Sequence, residues 1–170
     1  MNQYSNQSDA FRRAYDALYR PQPQPKPIRV LKPKVFVSFD YENDANYKRL
    51  LEAWNANSKF YFTFNDKTPQ EIQSDDVGRV KAVLTTKIQA ASHTLVLIGK
   101  YANQPHIDWQ EIGCTNWIQF EIQQSILYKK KLVAVRLEPF NALPTNIINQ
   151  NGILVEGFNQ ADITDALSRA

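Results

Sequence analysis

The sequence of 170 residues is poor in the residue types that usually mark metal, disulfide and phosphate sites. It has one cysteine, Cys114, two histidines and five glycines. A single cysteine closes no intramolecular disulfide, and these cysteine and histidine positions have no zinc-like spacing, so no metal site is expected. The GxGxxG, GxxxxGK[ST] and GxSxG patterns are all absent, which excludes the usual dinucleotide, P-loop and α/β-hydrolase sites.

Long apolar runs and a strong excess of charge are also missing. No run approaches the ~18–20 residues needed to cross a bilayer, and the N-terminus lacks a secretory pattern, so we expect a cytoplasmic protein without membrane contact. The net charge of +3 arises in residues 1–33, which hold six Lys or Arg and two Asp. Because these basic residues are sparse and not clustered on one element, no nucleic-acid binding is expected.

The composition, with 43% hydrophobic residues, is that of one globular domain with a sizeable core. Residues 8–20 show helical spacing of apolar positions, and PQPQPKP at 21–27 favours an extended linker. We therefore expect an N-terminal arm over residues 1–33, of open role, and a single domain over residues 34–170.

Five short apolar runs separated by helical patterns fill the domain. The predicted strands are VFVSF at 35–39, FYFTF at 60–64, HTLVLIG at 93–99, LVAVRL at 132–137 and GILVEGF at 152–158. The predicted helix caps are Asp44, Asp75 or Asp76, Asn116 and Asp162. This alternation predicts an α/β, flavodoxin-like, three-layer fold with a central, mostly parallel five-stranded sheet and helices on both faces.

Ligands of such folds bind beyond the carboxyl ends of the strands, where the strand order reverses. The segments expected there are 38–44, 65–76 and 99–121. A phosphorelay receiver is excluded, because the third predicted strand ends in Ile98 and Gly99 where that class needs an aspartate.

The motifs of the domain resemble those of TIR domains. KVFVSFDYENDANYKRLLEAW at 34–54 is similar to the TIR opening, and Ser38, Phe39 and Asp44 match its pattern. HTLVLIG, NWIQFE at 116–121 and KKKLVAVRL resemble the third strand, the helix with a Trp four residues before a Glu, and the next strand. The set resembles the TIR-like proteins of bacterial Thoeris anti-phage systems over about residues 34–170.

The resemblance implies an enzyme that cleaves NAD+ at the nicotinamide–ribose bond and makes an ADP-ribose-derived signalling nucleotide, with a cyclic product expected. NAD+ is then the substrate, and no cofactor is needed. The resemblance assigns catalysis to Glu121 and substrate contacts to Ser38, Phe39, Asp40, Tyr41 and Trp117. It also implies a separate effector reached through the product, a phage component as trigger, and self-association involving loop 65–76.

Simple chemistry agrees with a role for Glu121. Cleavage releases neutral nicotinamide, so one carboxylate beside the developing oxocarbenium ion is sufficient. Trp117 lies one helical turn before Glu121, on the same face. The alternative interpretations are a solvated glutamate beside a core tryptophan, a non-enzymatic TIR-like adaptor, and a nucleotide-binding sensor without turnover.

The resemblance does not assign the residues that would bind the phosphates of NAD+. Many TIR domains have Arg at the position of Asp40, which would suit a phosphate better, and the candidate substitutes are Lys67, Arg79 and Lys100. A second-carboxylate role for Asp108 or Glu111 is a minor alternative. No role is assigned to His93, His106 or Cys114.

Overall fold

A computed structural model describes residues 11–15, 32–57, 60–65, 74, 76–148 and 152–170. The chain divides into two compact units, Met1–Leu31 and Lys32–Ala170. In the first unit, residues 11–15 are helical, and Phe11 and Tyr15 are exposed. The linker predicted at 21–27, the rest of the helix predicted at 8–20 and most of loop 65–76 lie outside the described residues.

The second unit is built on one parallel sheet. Its strands are β1 (Lys34–Ser38), β2 (Thr63–Asn65), β3 (His93–Ile98), β4 (Lys131–Arg136) and β5 (Ile153–Glu156). They lie in the order β2-β1-β3-β4-β5, and all four neighbouring pairs are parallel. This confirms the predicted flavodoxin-like fold and puts the reversal of strand order between β1 and β3.

Helices cover both faces of the sheet. They are α1 (Tyr41–Ala56), α2 (Val77–Ala90), α3 (Trp109–Ile112), α4 (Trp117–Leu127), α5 (Thr145–Ile148) and α6 (Gln160–Arg169). One face packs against α1 and α6 through a core that includes Leu51, Ile163 and Leu167. The other packs against α2, α3, α4 and α5. Among the described residues, no helix combines the length and apolarity that a bilayer crossing requires.

Successive side chains of β1 pack alternately on the two faces of the sheet. Val35, Val37 and Phe39 belong to the core under α1 and α6, while Phe36 packs with α2 and α4. By this alternation, Ser38 at the end of β1 faces α4. The β1 side chain that contacts α4 beside Glu121 is therefore a hydroxyl and not an apolar group.

Two predicted caps and one predicted strand were wrong in detail. Asp40, and not Asp44, caps α1 by accepting hydrogen bonds from the main-chain N–H groups of Glu42 and Asn43. Asn159, and not Asp162, caps α6. In the predicted strand 60–64, pairing with β1 begins only at Thr63, although Phe60 and Phe62 before it are buried.

Candidate active site

A cleft of about 190 Å³ opens at the carboxyl end of β1, beside the reversal of strand order. Its walls are the start of α1 with the residues before it, the loop after β3, and the start of α4. The lining residues are 39–43, 101, 104–106 and 116–118. The described part of the chain therefore has a concave site at the place where the topology predicts one.

Four predicted substrate residues line this cleft, and two predicted residues do not. Phe39, Asp40, Tyr41 and Trp117 are lining residues. Ser38 and Glu121 are buried and lie outside the lining, although Ser38 directly precedes Phe39 and Glu121 follows Trp117 by one helical turn.

Glu121 and Ser38 are in direct contact beneath the surface. The Ser38 hydroxyl donates a hydrogen bond of 2.5 Å to Glu121 Oε2, and Glu121 is 3% exposed. One turn further along α4, the Ser125 hydroxyl donates to the main-chain oxygen of Glu121 at 2.7 Å and lies 2.8 Å from Thr94 Oγ1. These contacts fix α4 against β1 and β3, so the Glu121 carboxyl has a defined position.

Burial controls the charge of Glu121. It raises the pKa of this carboxyl from 4.5 to about 8, although the Ser38 hydrogen bond and the charge of Lys87 act to lower it. In the free protein at neutral pH the side chain is therefore mostly protonated. A cation bound nearby would favour the carboxylate, because an opposite charge stabilises the ionised form.

A second buried carboxyl lies at the same edge of the sheet, on the opposite face. Asp44 of α1 is 7% exposed, and its Oδ2 atom has no hydrogen-bond partner among the described groups. A β-carbon at Gly99 would overlap this carboxylate, so the glycine after β3 provides its space. Burial, and next the charge of Asp40, raise the pKa of Asp44 to about 6.

The cleft is aromatic and carries acidic groups. Phe39, Tyr41, Tyr101 and Trp117 supply rings, and Asp40 and Glu42 supply carboxylates. Of the described residues that line it, none is a lysine or an arginine. The walls therefore suit a flat ring with positive charge better than a phosphate.

The suggested phosphate-binding residues are not part of this lining. Arg79 is exposed outside the cleft, and Lys67 lies outside the described residues. Lys100 is exposed and is not a lining residue, although its Nζ atom lies 5.2 Å from the ring centroid of the lining residue Tyr101. Burial raises the pKa of the Cys114 thiol, which keeps it protonated and disfavours a nucleophilic role. Within the described residues, no group of three or more His, Cys, Asp or Glu side chains is placed to hold a metal ion.

Two lining residues, His106 and Asn116, lie in the predicted segment 99–121 but were not predicted as site residues. Asn116 was predicted only as the cap of α4, and it does accept from the N–H of Gln119 at 3.0 Å. Its amide also donates to the main-chain oxygens of Ala102 and Gln104 at 3.0 and 2.8 Å. One side chain thus joins the helix that carries Glu121 to the loop that forms the facing wall.

Substitution of Asn116 is expected to separate these two contributions. Asn116→Ala removes all three hydrogen bonds. We expect it to lower the free energy of unfolding by about 2 kcal/mol, through loss of the helix cap and of the partners of two main-chain carbonyls. Asn116→Ser keeps a capping oxygen but is too short for both carbonyls, and it should lose about 1 kcal/mol. Urea unfolding measures both, and a serine variant as stable as the wild-type chain would show that the bonds to the loop contribute nothing.

The fold and the cleft define a flavodoxin-like α/β domain with a concave surface at its strand-order reversal. The family model of the Thoeris protein ThsB, TIR-like domain, matches residues 36–141, which is more than half of the chain. The chain belongs to this family, as its motifs predicted.

Comparisons with other proteins add little beyond this family. No curated protein matches the chain significantly. A Clostridium botulinum CMP N-glycosidase, BcmB, is 11% identical, with a TM-score of 0.47 over 80% of this chain and 98% of that one. A prokaryotic SEFIR domain is 15% identical, with a TM-score of 0.49 over 81% and 94%. At these values neither structure bears on the reaction of this chain.

Proposed function

We propose that this chain is a TIR-like enzyme that cleaves the nicotinamide–ribose bond of NAD+, with Glu121 as its catalytic residue. The observation that carries the proposal is the buried Glu121 carboxyl, held by Ser38 next to an aromatic cleft, in a member of the ThsB family. NAD+ is the substrate, and the proposed chemistry uses no further cofactor.

In the proposed reaction, the bond between ribose C1′ and the pyridinium nitrogen breaks, and nicotinamide leaves as a neutral molecule with the bonding electrons. The ribose is left as an oxocarbenium ion, which the Glu121 carboxylate stabilises electrostatically. Water attacking C1′ gives ADP-ribose and a proton. A nucleophile elsewhere in the same molecule gives a cyclic product instead, which is the outcome we favour for a signalling enzyme.

The wider role follows from the same proposal. The product would reach a separate effector in the cytoplasm during phage infection, with a phage component as trigger. Self-association, with loop 65–76 against a second copy, would complete the site. Each of these steps is a proposal that rests on family membership.

The test is nicotinamide release from NAD+ by the purified chain, with products separated by chromatography and mass spectrometry. Release, together with an ADP-ribose-derived product, supports the enzyme and identifies the linkage. If purified protein is silent, the assay is repeated in lysates of phage-infected cells. Silence in both would favour the non-enzymatic adaptor.

One observation favours that second candidate. Glu121 and Ser38 do not line the cleft, so a ligand in the cleft contacts the aromatic rings and the cap residues Asp40 and Asn116, and not the Glu121 carboxyl. A TIR-like module that binds a partner or a nucleotide without turnover needs no carboxyl at that surface. Tight NAD+ binding without nicotinamide release would identify the nucleotide-binding sensor, whereas an adaptor should tolerate Ala at Glu121.

If Glu121 acts as a carboxylate, the hydrogen bond from Ser38 should control the pH dependence of activity. Ser38→Ala removes a donor that lowers the pKa of Glu121, so the rise of kcat/KM with pH should move to higher pH by about 1–2 units. Rates between about pH 6 and 10 measure this shift, since kcat/KM reports the free enzyme. Thr94→Val, which removes a buried hydroxyl that does not contact the Glu121 carboxyl, is the matched control and should leave the midpoint in place. An unchanged midpoint in Ser38→Ala would contradict the assignment.

A further inference from the structure

Several polar side chains of the cleft are occupied by hydrogen bonds within the chain. Asp40 accepts from the main-chain N–H groups of Glu42 and Asn43 at 3.0 and 3.2 Å, and its second oxygen accepts from the Asn43 amide at 2.8 Å. Asn116 makes the three bonds described above. These groups shape the walls, and they have little hydrogen-bonding capacity left for a ligand.

His106 is different, because one of its ring nitrogens remains available. Its Nδ1 atom accepts a hydrogen bond of 3.1 Å from the main-chain N–H of Asp108. Among the described residues, none makes a hydrogen bond to Nε2. The Asp108 carboxylate lies near the same atom, with Oδ2 at 3.6 Å from Nδ1, which is beyond hydrogen-bond distance. A ring that accepts at Nδ1 carries its proton on Nε2, so the hydrogen bond from the Asp108 N–H assigns the Nε2–H tautomer. The cleft therefore contains a ring N–H donor with a defined tautomer.

The position of this donor is also fixed. The main-chain N–H of His106 donates to the oxygen of Thr115 at 2.8 Å, and its own oxygen accepts from the N–H of Trp109 at 3.1 Å. The imidazole meets the Trp117 ring at a centroid distance of 6.1 Å and an angle of 70°. Since His106 and Trp117 both line the cleft, a flat ligand against the Trp117 ring would lie beside the imidazole.

The charge around the donor selects the kind of acceptor. The described lining has the carboxylates of Asp40 and Glu42 and no lysine or arginine, and one ammonium group, that of Lys100, lies 5.2 Å from the ring centroid of the lining residue Tyr101. Because carboxylates are the more numerous charges, a phosphate oxygen is disfavoured. A neutral oxygen on a positively charged aromatic ring satisfies both the donor and the acidic walls. The carboxamide of a pyridinium ring has this chemistry.

We propose that His106 is a substrate-binding residue whose Nε2–H donates a hydrogen bond to the carboxamide oxygen of a pyridinium ring in the cleft. The inference rests on the proposed function, because it names the recognition of the leaving group at the same site. It assigns ring specificity to the loop after β3, whereas the resemblance to TIR domains placed substrate contacts in the first loop and at Trp117.

Two small cations test this without turnover. 1-Methylnicotinamide has the pyridinium ring and the carboxamide, and 1-methylpyridinium has the ring alone. We expect the wild-type chain to bind the first about 3–10-fold more tightly than the second, the value of one net hydrogen bond. Titration calorimetry or ligand-observed NMR gives both dissociation constants.

Matched variants test whether His106 causes the preference for 1-methylnicotinamide. His106→Asn retains an oxygen near the position of Nδ1, which supports the loop, but lacks the Nε2 donor, and it should bind both cations equally. His106→Gln places an amide N–H near the position of Nε2 and should recover part of the preference. The chain has two histidines, so the imidazole ¹⁵N signals of His106 are assigned by their loss in His106→Gln. The Nε2 signal should move with 1-methylnicotinamide and not with 1-methylpyridinium.

The inference is overturned if His106→Asn keeps the full preference, if the Nε2 signal does not respond, or if neither cation binds. The proposed function is tested separately by nicotinamide release. Cleavage of NAD+ with an unaltered preference in His106→Asn would overturn only the role of His106. A preference that depends on His106, in a chain that never cleaves NAD+, would overturn only the enzyme.

Discussion

The Glu121→Gln variant is expected to release nicotinamide from NAD+ about 10²–10³-fold more slowly than the wild-type chain. Glutamine has almost the same shape as the protonated glutamate and can still accept the hydrogen bond from Ser38, so the fold should be retained. It cannot become negative, and the electrostatic stabilisation of the oxocarbenium ion is lost. The measurement is the initial rate of nicotinamide release at saturating NAD+.

The matched control for this variant is Glu111→Gln. Glu111 is an exposed residue of the short helix α3, and its substitution makes the same change from glutamate to glutamine outside the cleft lining. Its rate should stay within about twofold of the wild type, as for other surface changes. Equal activity of Glu121→Gln and the wild-type chain would exclude Glu121 as the catalytic residue, and an inactive Glu111→Gln would revive the second-carboxylate alternative.

The same substitution should stabilise the folded chain at alkaline pH. Burial holds the pKa of Glu121 at about 8 in the folded protein, against 4.5 when exposed. Across this interval the folded state keeps a proton that the unfolded state has lost, so stability falls as pH rises. Between about pH 6.5 and 8, the wild-type chain should lose about 2 kcal/mol that Glu121→Gln does not lose.

Urea unfolding of both proteins at several pH values measures this difference. The window lies above most of the titration of Asp44, whose pKa is about 6, and of His93, whose pKa burial lowers from 6.5, and below that of Cys114, whose pKa burial raises from 9.0. Their remaining contributions are shared by the two proteins and cancel in the comparison. Parallel stability curves for wild type and variant would show that Glu121 is ionised in the folded state throughout.

The sequence predicted the architecture because strand patterns and helix caps depend on residues that are close together in the chain. The apolar run of β3 and the cap Asn116 were placed correctly, and the cap left open between Asp75 and Asp76 is Asp76. At α1, two aspartates stood four residues apart, and spacing alone did not decide between them. Asp44 is instead buried, in space that the absence of a side chain at Gly99 leaves after β3, and this packing is not visible in the local sequence.

The candidate site was predictable in part for the same reason. Trp117 and Glu121 were expected on one face, since four residues make one turn, but the depth of Glu121 depends on Ser38, a residue 83 positions away in the chain. His106 was predicted only as part of the segment 99–121 at the ligand edge of the sheet, and no role was assigned to it. Its loop is held at the cleft by a hydrogen bond from the Asn116 amide to the main-chain oxygen of Gln104. The Asp108 N–H occupies Nδ1 of His106, and Nε2 has no hydrogen-bond partner among the described residues.

The central position of β1 also has a consequence for the synthesis of the chain. Each pair of neighbouring strands is parallel, so no hairpin can form the middle of the sheet early. The contact between Lys34 and Ser92 at the start of the β1–β3 pair spans 58 positions, which is several seconds of translation at roughly 5–20 residues per second. During that delay, Phe36, Phe60 and Phe62 have no complete core to enter. The first two strands are therefore where a chaperone holding the nascent chain would prevent aggregation most effectively.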